Sequence, residues 1–198
     1  MHKKNIPEIK FCFSFIYNSF FEKFVRLPYS KNKNITTKDI LKKMNILEKE
    51  WRKIENKILK SLITYTGLEW SEKIINCYFV ENCIPFSDPL TICPRKNNKE
   101  TINLLIHELI HRFIYQNRND KKVQKMWNFL DKQYKKESGL TINHIIVHAI
   151  HSKIYLEHFN DKELNSNIER DERDKDYARS WIIVNDLGYE KIIDLIKR

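Results

Sequence analysis

Residues 101–117 read TINLLIHELIHRFIYQN. Leu104, Leu105, Ile106, Leu109, Ile110, Phe113 and Ile114 put apolar side chains on most sides of this stretch, which predicts a buried helix over 99–117. Set into it are two imidazoles and a carboxylate, His107, His111 and Glu108, all costly to strip of water. His107 and His111 are four residues apart, so a helix stacks them on one face within reach of a single ion, while Glu108 points to the side. Neutral imidazole suits Zn2+, and a catalytic zinc site keeps one coordination position open for water. Glu108 is then placed to take a proton from water that the cation has acidified. A bound cation gives the polar trio a reason to sit in an apolar helix.

A third ligand is expected from TINHIIVHAIHSKIYLEHF, which predicts a second amphipathic helix over 141–158. At 100° per residue, His144, His148, His151, Tyr155 and His158 fall on one stripe about 80° wide, with Ile145, Ile146, Ile150, Ile154 and Leu156 on the other faces. His148 is the expected ligand: it is mid-helix, and its neighbour Ala149 permits close approach of another helix. His144 and then His151 are the alternatives. The remaining members of the stripe would orient the ligands or, with Tyr155, donate to the oxyanion formed when a carbonyl is attacked. Glu157 lies on the opposite side and is set aside.

Working outward, DPLTICP at 88–94 and IINCYFVEN at 74–82 read as two neighbouring strands, separated by Pro85 and Ser87. Asn97 to Glu100 resembles a capping box at the start of the motif helix. Upstream, Ile40, Met44, Leu47, Trp51, Ile54, Ile58 and Leu62 recur at helical spacing, predicting one long helix from an N-cap at Thr36 or Thr37 to about Tyr65, ended by Gly67. SKNKN at 30–34 reads as a polar loop, and EIKFCFSFI at 8–16 alternates Phe11, Phe13 and Phe15 as a first strand or a lead into a helix. Downstream, a polar helix is expected at 121–136, a solvated connection or helix start at 167–176, and a last helix holding Tyr177, Trp181 and Val184 until Gly188 breaks it. The four tryptophans, Trp51, Trp70, Trp127 and Trp181, are assigned to packing.

The 198 residues suit a single domain with one core, residues 74–158 at its centre and a helical segment at 160–198. Helices dominate and the strands are few, so the fold class is α+β, with a small sheet packed on the motif helix. The apolar runs are too short to span a bilayer, and Pro7, Glu8 and Lys10 interrupt the aromatic N-terminal run before it makes a secretory signal. No membrane partner and a cytoplasmic location are expected. Cys12, Cys77, Cys83 and Cys93 lack CxxC spacing and read as buried free thiols. The net charge of +10 is spread over nearly every segment, a pattern that a Lys-, Asn- and Ile-rich composition produces without a nucleic-acid partner.

HELIH preceded by short strands and followed by a helix carrying a further histidine resembles the zincin metallopeptidases, over about residues 74–158. The resemblance implies that His107 and His111 bind zinc, that Glu108 is the general base, and that a third ligand comes from the downstream helix. It also implies that a strand before the motif helix, here LTICP at 90–94, aligns an extended peptide by backbone pairing. Asn117 and Arg118 follow where the longer metzincin pattern needs its third histidine, and the glutamate motif of thermolysin-like enzymes is absent. A minimal, histidine-ligated zincin is the member of the group that fits. The expected function is therefore zinc-dependent hydrolysis of a peptide or protein by a monomer. The alternative is a non-catalytic, zinc-stabilised basic module that binds nucleic acid or a protein partner, in which a fourth histidine closes the site.

Overall fold

The computed structural model describes residues 5–24 and 36–197. The described chain is mostly helical, with one small mixed sheet, as an α+β assignment requires. It divides into two compact units, Met1–Leu59 with Trp70–Arg112, and Lys60–Glu69 with Phe113–Arg198.

In the first unit the aromatic N-terminal stretch is strand and helix in succession, β1 (Glu8–Cys12) and α1 (Phe15–Phe24). Ser14 makes the change: its Oγ accepts the Tyr17 N–H at 3.3 Å and its carbonyl that of Asn18. Ile9 is the residue that β1 buries, and Phe15 is exposed, so the alternating phenylalanines do not share one buried face. The loop expected at 30–34 lies outside the described residues.

Thr36 caps α2 (Thr37–Arg52), exchanging hydrogen bonds with Asp39 in a capping box. The single long helix expected here is two, because the chain breaks at Lys53–Ile54 before α3 (Glu55–Thr66). At the break Lys53 N–H reaches Glu50 O and Ile54 N–H reaches Trp51 O, bonds of the tight i→i+3 kind. The apolar period survives on both sides, with Ile40, Met44, Leu47, Trp51, Ile58 and Leu62 buried, which is why the pattern alone conceals the interruption.

The break frees Glu55 for another task. Its Oε1 accepts the Ile9 N–H at 2.8 Å, the Trp51 Nε1–H at 3.1 Å and a guanidinium N–H of Arg52 at 2.9 Å. β1 is an edge strand, and this carboxylate occupies one of its outward donors. Glu55→Ala leaves two sheltered N–H groups without an acceptor. It is expected to cost about 3 kcal/mol in urea unfolding, with Glu55→Gln, which keeps a carbonyl oxygen, recovering part of the loss.

The sheet runs in the order β1-β2-β4-β3. β2 (Ile74–Phe79) lies parallel to β1, with Glu8 opposite Ile74 and Cys12 opposite Tyr78, and parallel to β4 (Leu90–Ile92), with Tyr78 opposite Thr91. The stretch expected as one strand at 88–94 is the second arm of a hairpin: β3 (Phe86–Ser87) pairs antiparallel with β4 across the cis Asp88–Pro89 bond. This corrects the role expected of residues 90–94. β4 is bordered by β2 on one side and β3 on the other, and Leu90, Thr91 and Ile92 are all buried, so its backbone is committed to the sheet and not available to align a peptide. Cys77, Cys83 and Cys93 are buried free thiols and Cys12 is half-buried.

The second unit is helical. α6 (Gly139–His158), capped by Ser138, is buried along most of its length, with α7 (Asp161–Asp171), α8 (Lys175–Leu187) and α9 (Tyr189–Lys197) packed on it. α5 (Lys121–Gln133), capped by Asp120, packs on α9. The charged run at 167–176 is more than a solvated connection. Its first half completes α7 and buries the Asp171 carboxyl, while Asp174 caps α8 by accepting the N–H groups of Asp176 and Tyr177. Gly188, at φ 84°, ends α8 in the left-handed region that glycine adopts without strain. Among the described residues no helix is long and apolar enough to cross a membrane.

Candidate metal centre

The motif lies on α4 (Asn98–Gln116), whose N-terminus is capped by Asn97: its Oδ1 accepts the Glu100 N–H at 2.9 Å, and its amide donates to the Glu100 carboxylate. Leu105, Ile106, Leu109 and Ile110 are fully buried, so the apolar faces fix the rotation of the helix and thereby the direction of the polar residues between them. His107 is 8% exposed and Glu108 6%.

Helical spacing brings His107 and His111 together as expected. Their Nε2 atoms are 3.1 Å apart and their rings meet at 64°. Burial pushes the Glu108 carboxyl up to about 8, against the opposing pull of the Arg95 cation. Arg112 anchors the end of this turn. Its guanidinium grips both carboxylate oxygens of Glu72, at 2.6 and 2.8 Å, and also donates to the Ser87 carbonyl and to Asp88. This two-pronged grip ties the residue next to His111 to the start of β2 and to the β3–β4 turn.

On α6 the four histidines of the stripe have four different environments. The His144 Nδ1–H donates to the Leu140 carbonyl at 2.8 Å, which fixes the tautomer and leaves the lone pair on Nε2, and its ring lies 4.2 Å from that of Tyr177. His148 is wholly buried. Its Nδ1 is 2.5 Å from Ser180 Oγ, and its ring stacks flat on Trp181 at 4.0 Å. His151, also wholly buried, is pushed down to about 3 by loss of water and packs against Tyr155. His158 reaches Ser61 Oγ at 2.6 Å.

Among the described residues, the ring nitrogens of His107, His111 and His144 form a group lying within 4.8 Å of one another, a set that can hold a metal ion. From α6, the helix expected to carry the third ligand, it is His144, the alternative, and not His148, the first choice, whose ring nitrogen joins the group. The reason is local. The His148 ring is taken up by Ser180 and Trp181, one turn further along α6. Tyr155, expected as an oxyanion donor, is buried, with its hydroxyl bonded to Asn167 and its ring stacked on Phe159.

Tyr177, Ser180, Trp181 and Asp171 were not read from the sequence as partners of the histidine stripe. Their signal was the three-to-four-residue spacing of Tyr177, Ser180 and Trp181, which matches that of His144 and His148 and lets one helix turn grip another. Compared with protein-family models, curated proteins and solved structures, the chain matches none.

Proposed function

We propose that the chain is a zinc-dependent hydrolase of peptide bonds in which His107, His111 and His144 hold the metal and Glu108 is the general base. The observation that carries this reading is the convergence of three ring nitrogens within 4.8 Å, two of them from the helix turn that also carries the buried Glu108. Tetrahedral zinc with Zn–N bonds of about 2.0–2.1 Å places its ligand atoms roughly 3.3 Å apart. The 3.1 Å between the Nε2 atoms of His107 and His111 fits that edge with little adjustment, and the wider spread of the three, within 4.8 Å, would close on an ion by a small side-chain shift. The donor set fits as well, because burial holds the His144 imidazole below its usual pKa and so in the neutral form that a metal requires. Three protein ligands leave a fourth position for the reacting groups.

When bound, the ion supplies Lewis acidity, acidifying water and polarising a carbonyl. The protein's own groups do the rest. Glu108, next to His107 on the motif helix, accepts the proton released as water attacks and returns it to the departing amine. Its buried setting raises its proton affinity, and the Arg95 cation pulls against that rise. The Arg112 grip on Glu72 and the β3–β4 turn holds the end of the motif at a fixed place relative to the sheet.

The test is to load the purified protein with zinc, determine the metal content, and incubate it with an unstructured protein and a mixed peptide library, scoring cleavage by mass spectrometry. One ion per chain and chelator-sensitive cleavage are expected. A protein that binds zinc but cuts nothing would reduce the site to a structural one, and one that takes up no zinc would remove the metal altogether.

A further inference from the structure

We infer that Tyr177 is a positioning residue for the third metal ligand: its ring blocks one side of the His144 imidazole, while the Leu140 carbonyl holds that imidazole's Nδ1 proton. This rests on the proposed metal site and adds to it the device that orients its most distant ligand. The outer torsion of a histidine side chain is broad, so a ligand imidazole needs stops on its rotation to aim one nitrogen at an ion. The hydrogen bond to Leu140, at 2.8 Å, is one stop. The Tyr177 ring, with centroids 4.2 Å apart and planes inclined at 33°, is the other.

Tyr177 can act as a stop because α8 is itself fastened to α6 on both sides of it. Before it, the Asp176 carboxylate accepts from Ser138 Oγ at 2.6 Å and from Thr141 Oγ1 at 3.1 Å, one turn ahead of His144. After it, Ser180 meets His148 Nδ1, and Trp181 stacks on the His148 ring at 7° between planes. The Trp181 indole N–H is held in turn by Asp171 at 3.3 Å. The backbone of Tyr177 is fixed at both ends, its N–H directed to Asp174 and its carbonyl to Ser180 Oγ. The histidine stripe is thus read as one ligand, His144, followed by a buried register, His148, that sets where α8 lies along α6.

The experiment compares full-length wild type with Tyr177→Phe, Tyr177→Leu and Tyr177→Ala. Zinc affinity is measured by competition against a chromogenic chelator, and the visible absorption of the cobalt-substituted proteins is recorded. Removing the flat ring is expected to weaken zinc binding about 10- to 100-fold and to change the cobalt band shape, the range typical of groups that orient a metal-binding histidine. Tyr177→Phe, which keeps the ring, is expected to bind and absorb as wild type does. Tyr177→Leu fills most of the same volume without a flat face, so it gives the answer should Tyr177→Ala fail to fold. Unchanged affinity and spectrum in Tyr177→Leu would overturn the inference, as would a Tyr177→Phe protein as impaired as Tyr177→Leu. A wild type that binds neither zinc nor cobalt would overturn the metal site itself, an outcome distinct from wild type and variants binding alike.

Discussion

Glu108→Gln is expected to retain one zinc per chain and to lose peptide hydrolysis by about 10²- to 10⁴-fold, the span that a positioned general base contributes. Glutamine keeps the shape of the side chain and its place beside His107, but it cannot take the proton from water. The same substitution has a second, opposite effect in metal-free protein. The carboxyl there is raised to about 8 from an ordinary 4.5, so the folded state holds this proton more tightly than the unfolded chain does. Stability from this group is fully present below about pH 4.5 and is lost as pH rises through about 8. Glu108→Gln removes that loss, and at pH 7 the metal-free variant should be more stable than wild type by on the order of 3 kcal/mol. Urea titrations of the two metal-free proteins at pH 5 and pH 7 check this: a gain that grows with pH is expected, and an equal difference at both values would mean that Glu108 is not the buried acid. A variant that loses zinc, or one that cleaves as wild type does, would dismiss the base assignment.

His144→Ala and His148→Ala are expected to separate metal binding from stability. Structural zinc sites with a full ligand set bind with roughly 10–16 kcal/mol, so one ligand is worth about 3–4 kcal/mol, or on the order of 10² to 10³ in affinity. His144→Ala should show that loss with modest change in the unfolding of the metal-free protein. His148→Ala should keep its zinc. It vacates a wholly buried site between Ser180 and Trp181 and is expected to destabilise the fold by about 3 kcal/mol. His148→Phe, which preserves the stack on Trp181, provides a folded comparison. Zinc content by elemental analysis beside urea unfolding decides the matter. The reverse pattern, zinc lost from His148→Phe and kept by His144→Ala, would restore His148 as the ligand.

The motif and its helix were legible because their chemistry is local: four-residue spacing on one helix places His107 and His111 together whatever surrounds them. The choice among His144, His148 and His151 was not legible. All three share a stripe and an apolar setting, and what distinguishes them is a helix that begins some thirty residues later, where Tyr177 meets one ring and Ser180 and Trp181 take another. The break before Glu55 was hidden for a related reason. The apolar period of α2 and α3 continues through it, and the benefit of breaking lies in a hydrogen bond to Ile9, 46 residues away in the chain. The hairpin of β3 and β4 was read as a single strand because Phe86 and Ser87 are too short a run to register as periodic, yet their pairing is what makes β4 an interior strand.

The grip of α8 on α6 also sets an order of events during synthesis. His107, His111 and His144 have all been polymerised well before Tyr177 and Trp181 are added, and at about 5–20 residues per second the interval between His144 and Tyr177 lasts a few seconds. A ribosome-bound chain in that interval carries every proposed ligand but not the surface that orients the third. In the proposed site, the orientation of the third ligand is therefore timed by the emergence of α8, and the three histidines precede in synthesis the ring that would hold His144 in place.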